Sequence, residues 1–236
     1  MLSLQVADHV RHRTEDHGGV VILDTAAGKW LALNPTAGEL WRSWESGAGF
    51  EQGVAEVAAR YPEVSEEAIR SDAQRLAQDL FDRGLISLTP GGSATVMASP
   101  DHSVRAHGPA WPAVGAAWVF LLVASVLLAS SFRVSYALVR VSRRGWSYRL
   151  PRPEQAAAAV EAVSRASRLY PGRAACLEQS LAVVLLAATR RWRLDWCLGS
   201  AADPYRFHAW VEVAGMAVAV PDTLGAATEY SAVLVA

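Results

Sequence analysis

The sequence predicts an α+β protein of two modules: a small winged-helix-like unit over residues 1–90, then a larger domain from 110 to 236 organised around one thiol and one imidazole. Three observations carry this. Short alternating strands give way to three amphipathic helices in the first 90 residues. A Pro-Gly-Gly-Ser-containing stretch at 91–109 separates them from the larger domain and reads as a linker. Cys176 then sits where a loop breaks into an apolar helix, and Phe207-His208-Ala209-Trp210-Val211-Glu212-Val213 comes after it as a strand bearing one histidine.

Residues 2–33 read as strands. Val10 to Thr14 alternates, and Val20-Val21-Ile22-Leu23 is a short apolar run. Asp24-Thr25-Ala26-Ala27-Gly28 is turn chemistry leading into Lys29-Trp30-Leu31-Ala32-Leu33. Asn34-Pro35 marks a helix start, since Asn caps and Pro suits the first helical position. That helix runs to about Trp44 with Leu40 and Trp41 turned inward. A second helix covers roughly 51–60 and ends before Pro62. A third opens at Ser65, with Glu66 and Glu67 well placed in its first turn. Ile69, Ala73, Leu76, Ala77, Leu80 and Phe81 keep its helical spacing. Gly84 ends it, and Leu85-Ile86-Ser87-Leu88 is a closing strand, giving three strands, three helices and a short strand.

In the second module, Ala110 to Phe132 runs 23 residues without a charge, long enough to be a transmembrane candidate. Arg133, Arg140, Arg143 and Arg144 after it would place its C-terminal side in the cytoplasm. An Ala-rich helix is expected over 153–169, opened by Pro153-Glu154, and another from Cys176 to about Trp192. Strands are expected at 194–199, 207–213 and about 216–220. No internal repeat is apparent.

The 236 residues are 52% hydrophobic and 19% charged, richer in apolar residues than a typical soluble domain. Residues 1–100 hold 8 Lys+Arg against 14 Asp+Glu, net −6; residues 101–236 hold 14 against 9, net +5. An acidic half joined to a basic half suggests two modules and electrostatic contact between them. Neither half has the basic, aromatic-interleaved character of a nucleic-acid binder. Two cysteines make no disulfide framework and no zinc spacing. The opening residues lack the pattern of a signal peptide, which fits a cytoplasmic setting that keeps a thiol reduced. His9, His12 and His17, with Asp8, Glu15 and Asp16, share no consistent face, so no metal is expected there.

A thiol at a helix start and an imidazole on a later strand form the layout of a papain-like or transglutaminase-like cysteine site. Unpaired N–H groups in a helix's first turn favour an anion, hence a thiolate, at Cys176. A histidine can stabilise that thiolate and later protonate a leaving amine. His208 is the only histidine in the C-terminal 128 residues, and Trp210 shares its face of the strand. Asp222, just past the next strand, is the candidate to orient the imidazole. Gln179, one turn after Cys176, either helps polarise a carbonyl or is a solvated helix residue. Taken singly, a cysteine on an apolar helix is most often a small buried hydrophobe, and a strand histidine is most often structural. Cys197, mid-strand in Leu194-Asp195-Trp196-Cys197-Leu198, has that buried character.

The run Cys176-Leu177-Glu178-Gln179-Ser180-Leu181-Ala182, with His208-Ala209-Trp210-Val211-Glu212-Val213 and Gly215 after it, resembles the leader peptidase of lasso-peptide biosynthesis, a transglutaminase-like cysteine protease. The first 90 residues, with Asn34-Pro35-Thr36-Ala37-Gly38-Glu39-Leu40-Trp41 after a strand–turn–strand, resemble the PqqD-like recognition element of ribosomally made, modified peptides. Together the two cover nearly the whole chain in the fused B-protein order. The resemblance implies a bacterial hydrolase in which the first module binds the leader of a precursor peptide. The second would cut leader from core, and an asparagine-synthetase-like cyclase would then close the macrolactam ring. No cofactor is implied. By position Cys176 is nucleophile and His208 base and acid. The family acid comes after a Val-Asn pair; here the stretch reads Val218-Ala219-Val220-Pro221-Asp222, so Val220 holds the expected position and Asp222 lies two residues later.

The resemblance also places the leader as a strand beside the 29–33 strand and against the third helix. Lys29, Leu31, Asp72, Arg75 and Asp79 are the residues this puts at the leader, against the alternative that Trp30, Leu31 and Leu33 are ordinary core. A single span at 110–132 would separate two modules that handle one peptide. A helix packed on the peptidase, against the cyclase or along the membrane surface is therefore expected. Two other functions use the same features: a non-catalytic adaptor delivering leader to the cyclase, and a transglutaminase-type acyl transferase.

Overall fold

The computed structural model describes residues 3–89, 103–104, 111–146, 149–172, 174–201, 206–218 and 230–236. The chain divides into two compact units, 1–97 and 98–236.

The first unit opens with β1 (Ser3–Val6), β2 (Val10–Thr14), β3 (Val20–Asp24) and β4 (Lys29–Leu33). Three helices come next, α1 (Pro35–Glu45), α2 (Phe50–Arg60) and α3 (Glu66–Asp82), then β5 (Ile86–Thr89). The strand count exceeds the expected three because Ser3–Val6 pairs antiparallel with β5 as a separate ribbon. The other three form an antiparallel sheet with β3 in the centre, its Val20–Leu23 fully buried. Helix starts are where the caps put them: Asn34 Oδ1 accepts from the Ala37 N–H at 2.9 Å, and Ser65 Oγ from Ala68 at 3.3 Å. Trp41 and Trp44 are buried at 1% and 2% exposure and anchor α1 in a core shared with Val54, Ile69 and Leu80. Phe81 departs from the helical-spacing expectation. It is half exposed, because α3 turns only Ile69, Ala73 and Leu80 fully inward.

The second unit contains β6 (Ser103–Val104), α4 (Trp111–Ser130), α5 (Phe132–Val141), a π-helical turn at Ser142–Trp146, α6 (Pro153–Arg168) and α7 (Cys176–Thr189). Strands β7 (Asp195–Ala201), β8 (Arg206–Val213), β9 (Met216–Val218) and β10 (Ser231–Val235) complete it. The sheet order is β10-β7-β8-β9-β6, antiparallel except for the parallel β6–β9 pair. Ser103–Val104 thus adds an edge strand from within the stretch read as linker.

The long apolar segment is not one helix. It breaks at Ser131, and α5 continues to Val141. Among the described residues no helix is long and apolar enough to cross a membrane. Instead α4 packs on α6 and α7. Ala117, Leu121 and Ala124, at i, i+4 and i+7, form its buried seam, and α6 answers with Ala156, Ala159, Ala162 and Ala166.

Candidate active site

Cys176 is the first residue of α7 and is half-buried. The loop in front of it is pinned to the helix. The Ala175 N–H donates to Glu178 Oε2 at 3.0 Å, and Gln179 Nε2 donates to the Ala174 carbonyl at 2.7 Å. Gln179 therefore clamps the approach to Cys176. One turn further, Ser180 Oγ accepts from Trp196 Nε1 at 2.9 Å in the fully buried centre of the unit. That bond ties α7 to β7 and fixes the height of the helix start above the sheet.

α7 also packs on β8, the strand that carries His208. Alternation places His208, Trp210 and Glu212 on one face, while Ala209, Val211 and Val213 are buried on the other. Trp196, which reaches Ser180, pairs with Val211 and so belongs to the second face. On its own face the imidazole meets two aromatic rings. Trp210 stacks at a centroid distance of 6.2 Å, and Tyr230 lies at 5.0 Å. Burial pushes the His208 pKa below its ordinary value of 6.5. No hydrogen bond joins the Cys176 thiol to His208, which alternation puts on the face of β8 opposite the one that Trp196 shares with Val211. Trp210 is held in turn by its Nε1–H, which donates to Glu212 at 2.8 Å.

Tyr230 and the strand it leads into carry no local signal of a role at the site. Ser231–Val235 is not among the strands expected from the sequence, yet it pairs with β7 and delivers Tyr230 to the imidazole. Gly199, opposite His208 in the ladder, makes room for this: a Cβ there would stand 2.2 Å from the Ser231 carbonyl oxygen. Asp222, Val220 and the rest of 219–229 lie outside the described residues, so the group expected to orient His208 has no structural account. Cys197 is fully buried, and desolvation together with Glu212 and Asp195 drives its pKa far up, which leaves it an inert thiol.

In the first unit, β4 is an edge strand, hydrogen-bonded to β3 on one side only among the described residues. Lys29 is exposed and Leu31 half-buried against the core, beside which Leu76 and Ala77 of α3 are also half-buried. The three charged residues of α3 placed at the leader are ion-paired within their helix: Arg75 with Asp72, and Asp79 with Arg83 at 2.9 Å. The N-terminal histidines serve the fold. His12 Nε2 meets Glu45 at 2.9 Å and its ring meets Trp41 edge-on, while His9 lies 3.7 Å from Asp24.

Comparison with known proteins gives two family matches. The transglutaminase-like superfamily matches residues 118–235, half of the chain, and coenzyme PQQ synthesis protein D (PqqD) matches residues 19–86. Among solved structures, TbiB1 in complex with the TbiA(beta) leader peptide is similar at 23% identity and a TM-score of 0.33, over 35% of this chain and 93% of that one. No curated protein matches the chain.

Proposed function

The chain belongs to the transglutaminase-like superfamily, with a PqqD-type domain ahead of that domain, and on this basis we propose that it is a cysteine endopeptidase of lasso-peptide maturation. The observations that carry the reading are the transglutaminase-like match over residues 118–235 and a half-buried Cys176 at the first position of α7; His208 lies on β8, a strand that α7 contacts. Residues 1–90 hold the leader of a precursor peptide, and the second domain cuts leader from core.

In the proposed reaction His208, kept neutral by burial, removes the Cys176 proton. The sulfur attacks the carbonyl carbon at the leader's C-terminal end. The tetrahedral intermediate collapses by breaking the C–N bond, and the imidazolium returns its proton to the departing core amine. Water, deprotonated by His208, then cleaves the thioester and releases leader carboxylate and free thiol. Asp222 is proposed to orient His208, and Gln179 supports the site by clamping the loop before Cys176. The freed core amine is what an asparagine-synthetase-like cyclase would need for ring closure. The edge position of β4 in the described sheet supports leader binding by strand addition, with Lys29 and Leu31 on that strand and Asp72, Arg75 and Asp79 on α3 as the leader's proposed charged contacts.

Mass spectrometry of a cognate precursor incubated with the chain and with Cys176→Ala tests the reading. Cleavage is expected to disappear in the variant while leader binding persists. Equal cleavage by both refutes the peptidase, and binding without cleavage by either leaves the adaptor.

A further inference from the structure

Outside the candidate site, the outer surface of α4 and α5 stands out. Trp118, Val119, Leu122, Val123 and Val126 expose an apolar stripe along α4 over successive turns. On α5, Val134, Leu138 and Val141 form a second stripe at i, i+4 and i+7, with exposures of 51%, 40% and 68%. Arg133 and Arg140 run about 100° around the same helix from it. At the end of α5 a cavity of about 300 Å³ is lined by Tyr136, Arg140, Arg143, Arg144, Arg193, Val235 and Ala236. Arg143 is answered by Asp195 at 2.5 Å, and Arg140 lies over the Tyr136 ring. Arg133, Arg144 and Arg193 have no carboxylate partner among the described residues.

The charge pattern decides what fits this face. From His102 to Pro153 the sequence contains seven arginines and not one Asp or Glu. A protein partner would ordinarily be met by mixed polarity at the rim. An aliphatic stripe beside a cluster of cations, of which Arg143 alone is answered by a carboxylate (Asp195) among the described residues, complements an anionic lipid surface. There the acyl boundary takes the valines and leucines while headgroup phosphates take the guanidiniums. The helices do not span, so contact would be in the plane of the interface.

We propose that the α4–α5 face is an interfacial membrane contact that seats on anionic phospholipid, with a headgroup phosphate in the Arg140, Arg144 and Arg193 cavity. The inference stands apart from the peptidase reading, because none of these residues belongs to the Cys176 site.

Flotation of the full chain with phosphatidylglycerol-containing vesicles, against pure phosphatidylcholine vesicles, tests it. Binding is expected to the anionic vesicles alone. Arg140→Glu with Arg144→Glu should lower the partition coefficient at least about 25-fold, at roughly fivefold per removed cation near the surface. Val126→Asp with Leu138→Asp should abolish binding. All four positions are exposed, and unchanged circular dichroism melts confirm intact folds. Inorganic phosphate that competes fully with vesicles would overturn the proposal in favour of a free-anion site. It would fail equally if anionic vesicles were not bound, if both double variants bound like the parent, or if sedimentation showed a dimer that Leu138→Asp dissociates.

Discussion

Gly199→Ala is the sharpest test of how the site is assembled. Gly199 lies on β7 opposite His208, with β10 on its other side at Ala232. A methyl there would stand 2.2 Å from the Ser231 carbonyl oxygen, 2.8 Å from the Ser231 carbonyl carbon and 2.7 Å from the Trp210 ring. Two of the three clashing atoms are backbone, so no rotamer change relieves them. To reach even 3.0 Å from the oxygen, β10 must retreat by about 0.8 Å, which strains its ladder to β7. Overpacking of this kind costs about 1–3 kcal/mol, and the rigid neighbours put this case at the upper end. A destabilisation of about 3 kcal/mol lowers the melting temperature of a unit this size by roughly 6–12 °C. Tyr230 adjoins Ser231 and packs on His208, so the same retreat loosens the imidazole, and cleavage should fall more than the folded fraction does. Calorimetry of the full chain should show the second unit's transition shifted and the first unit's unmoved. Gly115→Ala is the control: it sits in α4 with nothing within 4 Å, so alanine's helix propensity should leave it neutral or up to about 1 kcal/mol more stable. A Gly199→Ala melt indistinguishable from the parent would refute this packing of β10.

Three further outcomes are expected. Gly38→Ala should destabilise the first unit by about 2–3 kcal/mol, since its Cβ would meet the Gly18 carbonyl oxygen at 2.6 Å and Gly18 is fixed at φ +89°; an unchanged urea midpoint of the first unit's transition would contradict this. Ser180→Ala should cost the second unit about 1–3 kcal/mol by leaving the buried Trp196 N–H without its acceptor. Trp196→Phe added to it should cost less than Trp196→Phe alone, and simple additivity would argue against the bond. For His208, whose folded pKa lies below 6.5, the unfolded chain binds the extra proton first as pH falls. Its burial therefore weakens stability only below about 6.5, and His208→Asn should flatten that part of the stability–pH curve. The acid limb of kcat/KM that it governs should have its midpoint below 6.5, and a midpoint above would remove His208 as the neutral base.

Much of this molecule is legible in its sequence wherever the signal is local. Asn34 and Ser65 cap helices because each supplies an oxygen to an N–H three residues on, and Gly84 takes φ +69° just past α3. Cys176 opens α7 for a comparable reason: Pro171 and Gly172 break the preceding chain, and Glu178 accepts from the Ala175 N–H. The apolar run from 110 defeats such reasoning. Its lack of charge conceals both the break at Ser131 and the buried seam, because Ala117, Leu121 and Ala124 are as apolar as the residues around them and no polar face marks the other side.

The surroundings of His208 are illegible for a different reason. Periodicity places an imidazole on a strand and, through Trp210, names its companion two residues away. It cannot say which distant segment reaches them. Here the answer is Tyr230, just ahead of β10, the edge strand that pairs with β7 and is admitted because residue 199 has no side chain. The Tyr230 ring lies against the imidazole, whose burial lowers its basicity. A neutral, ring-flanked histidine is suited to accept a thiol proton. It is less suited to hold a permanent imidazolium, since desolvation penalises the charged form. On the proposed mechanism the proton therefore has reason to move on to the amine as the C–N bond breaks. On that mechanism the rate of the first chemical step would then depend on a pairing between residues 197–200 and 231–235, and substitutions in that ladder should change chemistry while Cys176 and His208 themselves stay intact.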